Sequence, residues 1–322
     1  MSLPELGRLG FGAAGIGNLY RAMDDDVATA TVAAGWDAGI RYFDTAPHYG
    51  IGLSERRLGA FLATKPREEF VISTKVGRVL ETVANPSGAR DAEGFDVPAD
   101  VVRRWDPSEA GIRRSIEDSL ERTGLDRIDI AYLHDPDVYD LEAGIKQALP
   151  ALEKLRAEGL IKAIGVGANS ADALRDCVAA ADLDVIMLAG RYTLLEQPAA
   201  GDLLPLCLER NVAVANCGVY NSGLLARTVV PDDAHYNYAP APAGILARAK
   251  ALAACCDEFG VELPAAALQF ALTHPAVATV VVGASNPGQI AQTAARMAAE
   301  IPVELWAALV SRGLLDERLV HA

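Results

Sequence analysis

Two hydrophobic rhythms alternate along the chain. Short, nearly unbroken apolar runs occupy residues 8–12, 42–45, 70–76, 128–134, 161–167, 185–189, 212–216 and 279–283. Strands covered on both faces have no reason to alternate apolar with polar positions, so these runs predict parallel strands. Longer segments with apolar residues at helical spacing lie between them. Asp24, Asp25 and Asp26 precede a period of Ala, Val and Trp36, and acids are favoured where a helix begins. Asp106-Pro107 predicts an N-cap ahead of a first-turn proline, opening a helix that reaches Arg122 and stops at Gly124. Asn286-Pro287 repeats the device after the last strand. Further helices are predicted over residues 144–158, 170–180, 202–210 and 244–259.

Strand followed by helix, eight times over, predicts a (β/α)₈ TIM barrel spanning residues 1–322 as a single domain. The competing fold is a doubly wound sheet with a second domain, but no Pro/Ser-rich boundary divides the chain. Residues 78–105 and 229–243 read as long irregular loops. Both follow strands, so both are expected on the barrel face that carries active sites. Gly10, Gly12 and Gly15 spell a dinucleotide fingerprint, G-x-G-x-x-G. That motif requires a helix opening on the glycines, and here residues 16–23 intervene.

Composition narrows the function classes. Of 322 residues, 51% are hydrophobic and 22% charged, as in ordinary globular domains. Acids outnumber bases 43 to 29, and the net charge of −14 argues against nucleic-acid and anionic-membrane partners. Residues 263–295 lack charge but are broken by Pro, Asn and His, so no membrane span is expected. The five cysteines (Cys177, Cys207, Cys217, Cys255 and Cys256) include no C-x-x-C, which predicts neither a disulfide framework nor a metal site. The opening MSLPELGRLG lacks the features of a signal peptide, so a cytoplasmic protein is expected, as a monomer or small homo-oligomer.

The candidate chemistry sits at strand ends. Asp44 closes the second strand in YFDTAPHYG, with Tyr49 in the loop beyond; Lys75 closes the third in FVISTKVG; His134 closes the fourth in IDIAYLHD. Neighbouring barrel strands bring these ends together. A phenol with a reference pKa of about 10 is a poor acid or base near neutrality. An adjacent Lys75 ammonium, held by Asp44, is expected to lower it, and His134 to hydrogen-bond a substrate oxygen. The set suits proton transfer at an oxygen whose carbon gains or loses hydride.

These residues, with LERTGLDRIDI and AEGLIKAIGVG, resemble the aldo-keto reductase superfamily over nearly the whole chain. The resemblance implies a catalytic tetrad of Asp44, Tyr49, Lys75 and His134. HYGIGLSERRLG, HDPD, GRYTLLEQ and GVYNSGLLA are similar to the branch containing bacterial aldose dehydrogenases and pyridoxal dehydrogenases. That branch implies a nicotinamide cofactor and oxidation of the anomeric hydroxyl of an aldose such as L-fucose to a lactone. Implied cofactor contacts are Gly12, Asn169, Tyr220, Asn221, Ser222, Gly223, Gly283, Ser285, Asn286 and Gln289. The pair before Asn169 reads Gly167-Ala168, where the family usually has serine before the asparagine. Residues 280–293 carry no Lys or Arg, the nearest being Arg296, so NAD is expected over NADP, which needs partners for its 2′-phosphate. His48, Trp105 and Tyr192 are the expected substrate-pocket residues, and His235, His274 and His321 are expected to have no catalytic role. The alternatives are a pyridoxal 4-dehydrogenase, an NADPH-dependent aldehyde reductase and, in another class, a nicotinamide-sensing regulatory subunit.

Overall fold

The computed structural model describes residues 3–84, 88–237 and 239–319, so His321 lies outside the described residues. Eight parallel strands close into a barrel. In chain order the strands are β1 (Leu9–Gly12), β2 (Tyr42–Asp44), β3 (Val71–Val76), β4 (Arg78–Thr82), β5 (Val101–Trp105), β6 (Ile130–His134), β7 (Ala163–Ala168), β8 (Val185–Ala189), β9 (Ala213–Cys217), β10 (His235–Tyr236), β11 (Ala239–Pro240) and β12 (Val277–Gly283). The barrel runs β1-β12-β9-β8-β7-β6-β3-β2 and back to β1, and helices pack outside it in the (β/α)₈ arrangement.

Burial on both faces explains the unbroken apolar runs. In β6 every residue is buried. Ile130 and Tyr132 point into the barrel with Tyr42, Val185, Met187 and Val281, while Ala131 and Leu133 join the layer under the helices. Register then aligns the strand tips: Gly12 lies beside both Asp44 and Gly283, Lys75 beside Tyr132, and His134 beside Gly167. Among the described residues no helix is long and apolar enough to cross a membrane, and no cluster of metal-ligating side chains occurs.

Several expectations are corrected. Ser108, not Asp106, caps the helix Glu109–Thr123, its hydroxyl accepting from Gly111 N–H at 3.1 Å. Asp106 instead takes the backbone N–H and hydroxyl of Ser108, at 3.1 and 2.6 Å. The helix expected over 144–158 is a π turn, Gly144–Ala148, running into the helix Leu149–Ala157. Pro150 lacks the N–H that would have continued the regular ladder back to Lys146. The stretch 78–105 is no structureless loop: β4 and β5 pair antiparallel, Arg78 opposite Trp105 and Thr82 opposite Val101. Within 229–243, β10 and β11 make a second, smaller pairing. The glycines of the G-x-G-x-x-G string lead into a single 3₁₀ turn, Gly15–Gly17, and the first α-helix begins at Asp25.

Val303–Ser311 escaped the sequence pattern, and so did the helix Leu53–Leu62. Its Glu55 is wholly buried, yet it accepts from Thr74 Oγ1 at 2.8 Å and Arg122 Nε at 2.5 Å. Arg57, from the same helix, donates to the carbonyls of Ile16 and Met23 and to Asn18 Oδ1, holding the loop after β1 at the barrel mouth.

Candidate active site

The site is assembled on the C-terminal tips of β2, β3 and β6. Lys75 and Asp44 are almost fully buried, and Lys75 Nζ donates to Asp44 Oδ2 at 2.6 Å and to the Thr45 carbonyl at 3.0 Å. The other Asp44 oxygen accepts from the Ser73 hydroxyl at 2.7 Å. Behind it, Tyr42 links Ser73 to Tyr132 by two contacts of 3.0 Å, so a hydrogen-bonded chain runs down the barrel interior. Tyr49 is delivered by the tight turn after β2. That turn rests on the 3₁₀ turn after β1 so closely that a Cβ on Gly50 would lie 2.2 Å from the Gly17 carbonyl oxygen. Gly50 also has φ +62°. The Lys75 ammonium ends 4.6 Å from the Tyr49 ring centroid. His134 closes the other side, its ring 6.0 Å from Tyr49 and 5.5 Å from His48. The tetrad residues and His48 thus meet in one place.

The electrostatics differ from the sequence expectation in one respect. Burial raises the Tyr49 hydroxyl, and although Lys75 pulls it down, the outcome is a pKa pushed up to about 12. The phenol is therefore not acidic in this state, because desolvation of the phenolate outweighs the neighbouring ammonium. Burial works against the Lys75 charge as well, but Asp44 overrides it and holds the amine above its ordinary value. Burial, with the charges of Arg78 and Lys75, keeps His134 far below its usual range, hence neutral. The same causes, burial first and then Arg78 and Arg103, push His48 down to about 2.

The loops at the mouth bring in charges that motif reasoning missed. Arg78, enclosed, donates to Asp135 Oδ2 at 2.5 Å, and that oxygen lies 3.5 Å from His134 Nε2. Arg103 pairs with Asp91 at 2.7 Å and donates to the His48 carbonyl at 2.9 Å. Glu93 stands between His48, Arg103 and Arg78. The available signal was position: Arg78 follows Lys75 by three residues, and Asp135 follows His134 directly. Trp105 stacks on Tyr139 with centroids 4.9 Å apart. Tyr192 is corrected from pocket wall to core. It is fully buried against Phe270, and its hydroxyl meets Thr273 Oγ1 at 2.8 Å.

A cleft of about 910 Å³ has a lining that includes Tyr220, Ser222, Gly223, Gly283, Gln289 and Arg296, and Gly283 is one strand, β1, away from Asp44. His235 also lines it, whereas His274 packs against Tyr192. Asn221, Ser222 and Gly223 are consecutive residues with φ of +46°, +57° and +88°, a strained turn of the kind that collects at functional sites. The Asn221 side-chain carbonyl is enclosed without a hydrogen-bond partner among the described residues, whereas its amide donates to Glu196 at 3.0 Å; the Tyr220 hydroxyl lies beside Arg296, which offsets part of the rise that burial imposes on it. Gly12 and Gly283 adjoin at the β1–β12 edge. Asn169 is exposed, and its carbonyl accepts from Arg191 at 2.7 Å. Asn286 is committed to capping the helix Pro287–Ala298, accepting from Gln289 N–H at 3.0 Å. The Gln289 side chain accepts from Ser285 N–H at 2.7 Å. Residues 280–293 contribute no cation, but the fold supplies some from elsewhere. Arg227 and Arg296 line the cleft, and Arg21 donates to Ser285 Oγ at 3.1 Å.

Residues 8–312 match the Aldo/keto reductase family. The chain is 54% identical to a D-threo-aldose 1-dehydrogenase of Pseudomonas sp over 309 residues, 95% of this chain and 94% of that one. It is 40% identical to the pyridoxal 4-dehydrogenase of Microbacterium luteolum over 325 residues, covering 96% and 94%. A solved glycerol dehydrogenase from Gluconobacter oxydans superposes with a TM-score of 0.75 at 27% identity, covering 98% of this chain and 93% of that one.

Proposed function

This chain belongs to the aldo/keto reductase family, and on that premise we propose that it oxidises the anomeric hydroxyl of an aldose, L-fucose among them, to the lactone. The observation that carries the reading is the buried Asp44–Lys75 pair, 2.6 Å long, set under the Tyr49 ring with neutral His134 across from it. Similarity to a D-threo-aldose 1-dehydrogenase favours a sugar as substrate. We take Asp44, Tyr49, Lys75 and His134 as the catalytic residues and the chain as one barrel domain acting in the cytoplasm.

The volume of the cleft suits a dinucleotide, and Tyr220 and the strained residues Ser222 and Gly223 stand in its wall. Tyr220, Ser222, Gly223, Gly283 and Gln289 would hold it, with Gly12 and Asn169 nearer the barrel axis. A bound nicotinamide would supply the hydride acceptor for the sugar carbon, or the hydride donor for a carbonyl. Tyr49 takes the hydroxyl proton in oxidation and gives it back in reduction. Lys75 stabilises the negative charge passing between phenol and substrate oxygen, and Asp44 keeps Lys75 charged and aimed. His134, neutral, orients the substrate oxygen by a hydrogen bond.

NAD is the cofactor of this proposal. Arg296 is ion-paired with Glu262 at 3.1 Å, and Arg21 and Arg227 are exposed, so among the described residues no enclosed, unpaired cation at the cleft awaits a 2′-phosphate. The test is a panel of L-fucose, other aldoses, pyridoxal and simple aldehydes, assayed in both directions with both cofactors. Aldoses with NAD should give the highest kcat/KM. Turnover confined to pyridoxal, a strong preference for NADPH and aldehydes, or dinucleotide binding without turnover would each replace the proposal with a different one.

A further inference from the structure

The polar groups facing the mouth beyond the tetrad are unusually unsatisfied. Arg78 has its Nε enclosed without a partner, while its other nitrogens reach Asp135 at 2.5 Å and Glu93 at 3.9 Å. Trp105, paired opposite Arg78 across β4–β5, has an enclosed and unpartnered Nε1. Glu93 lies 3.5 Å from His48 Nδ1 and 3.6 Å from Arg103 Nη1. A full hydrogen bond would be about 2.7–3.2 Å, so Glu93 is surrounded by donors and bound to none of them at full strength. Its side chain is 47% exposed, at the open end of the His48–His134 pair. Burying polar atoms without partners is costly, and native proteins rarely do it without a reason.

We propose that Arg78 and Glu93 form a hydroxyl-reading pair for the substrate, Glu93 accepting from the vicinal hydroxyls next to the reacting carbon and Arg78 donating to one of their oxygens. The proposal rests on the polyhydroxy substrate of the preceding section and names the residues that select it. A carboxylate can accept from two adjacent hydroxyls at once, and a guanidinium supplies the complementary donor. An aldehyde lacking those hydroxyls leaves the enclosed Arg78 Nε and the half-exposed Glu93 carboxylate without those partners, which is how a polar pocket disfavours an apolar analogue. Asp135, accepting from Arg78 at 2.5 Å, keeps the guanidinium in position.

Reduction of glyceraldehyde and of propanal compares two substrates of equal chain length that differ only in their hydroxyls. The readout is the ratio of their kcat/KM values in the wild type, Glu93→Ala, Glu93→Gln and Arg78→Lys. The wild type should favour glyceraldehyde. Each variant should lower that ratio, Glu93→Ala by tenfold or more, with the change carried by KM. Because Glu93 is half exposed and packs into no core, its variants keep the test valid should the Arg78 variant fail to fold. A wild type that does not discriminate, or a ratio within twofold of wild type in both Glu93 variants, overturns the pair. A wild type that oxidises no aldose refutes the sugar reading instead, whatever the ratio does.

Discussion

At the scale of single residues, the proposed tetrad would couple one proton to one buried charge pair. Tyr49→Phe removes the proton carrier. General acid–base catalysis contributes roughly 10²–10⁴ in rate, about 3–5 kcal/mol of barrier, and kcat should fall by that much while the dinucleotide dissociation constant stays near wild type. Steady-state kinetics and fluorescence titration would check both halves. The pH dependence follows from the phenol. With its pKa pushed up to about 12, Tyr49 carries its proton through the whole neutral range, and His134 stays uncharged there. The proton-donor form is present below that value and is lost only above it. Aldehyde reduction should therefore show a flat kcat/KM from about pH 6 to 9, while alcohol oxidation, which needs the phenolate, should rise with pH across the same range. A pH–rate profile falling through pH 7 in the reductive direction would contradict the assignment. Lys75→Met would leave Asp44 as an enclosed, unpaired carboxylate. Breaking a buried pair in this way costs about 3–5 kcal/mol, which chemical denaturation would register alongside the loss of turnover.

These four residues were legible in the sequence because each ends an apolar strand or lies in the loop beyond one, positions that barrel geometry brings together. The direction of the Tyr49 shift was not legible. It depends on how much water reaches the hydroxyl, and packing by Phe95 and His134 around the ring decides that.

At the scale of elements, the helix Leu53–Leu62 shows where pattern reading fails. Its start, LSERR, looks solvent-facing, but Glu55 is paid for by Thr74 and Arg122, partners from two other elements. The turn before it depends on Gly50. A methyl there would meet the Gly17 carbonyl at 2.2 Å in a left-handed backbone, so Gly50→Ala should destabilise by at least about 1–3 kcal/mol and displace Tyr49. A drop in denaturation midpoint together with a loss of kcat would show this, and an unchanged midpoint would refute it. The β4–β5 hairpin was hidden for a related reason. Its strands, RVLET and VVRRW, mix charged with apolar residues without a clean alternation, and their cross-strand ion pairs, such as Arg104–Glu81 at 2.7 Å, exist only once the hairpin has closed.

At the scale of the whole molecule, the cleft runs between segments far apart in the chain, the turn after β9 and the end of β12, with Arg21 from the loop after β1 at its rim. A ligand bridging them binds only the folded barrel, so at 100 times its dissociation constant it adds about 2.7 kcal/mol to stability. Thermal melts should rise with NAD concentration and respond more weakly to NADP. A larger shift with NADP would assign Arg21 and Arg227 to its 2′-phosphate.

The sequence alone determined the barrel, the strand tips and the residues on them, because two-sided burial and strand–helix alternation are local patterns that allow few closed solutions. Tertiary structure alone decided the charges around that site. Arg78, Glu93, Arg103, Asp135 and the arginines at the cleft come from segments that meet only after folding, and burial, which sets the protonation of Tyr49 and His134, is a property of the packed whole.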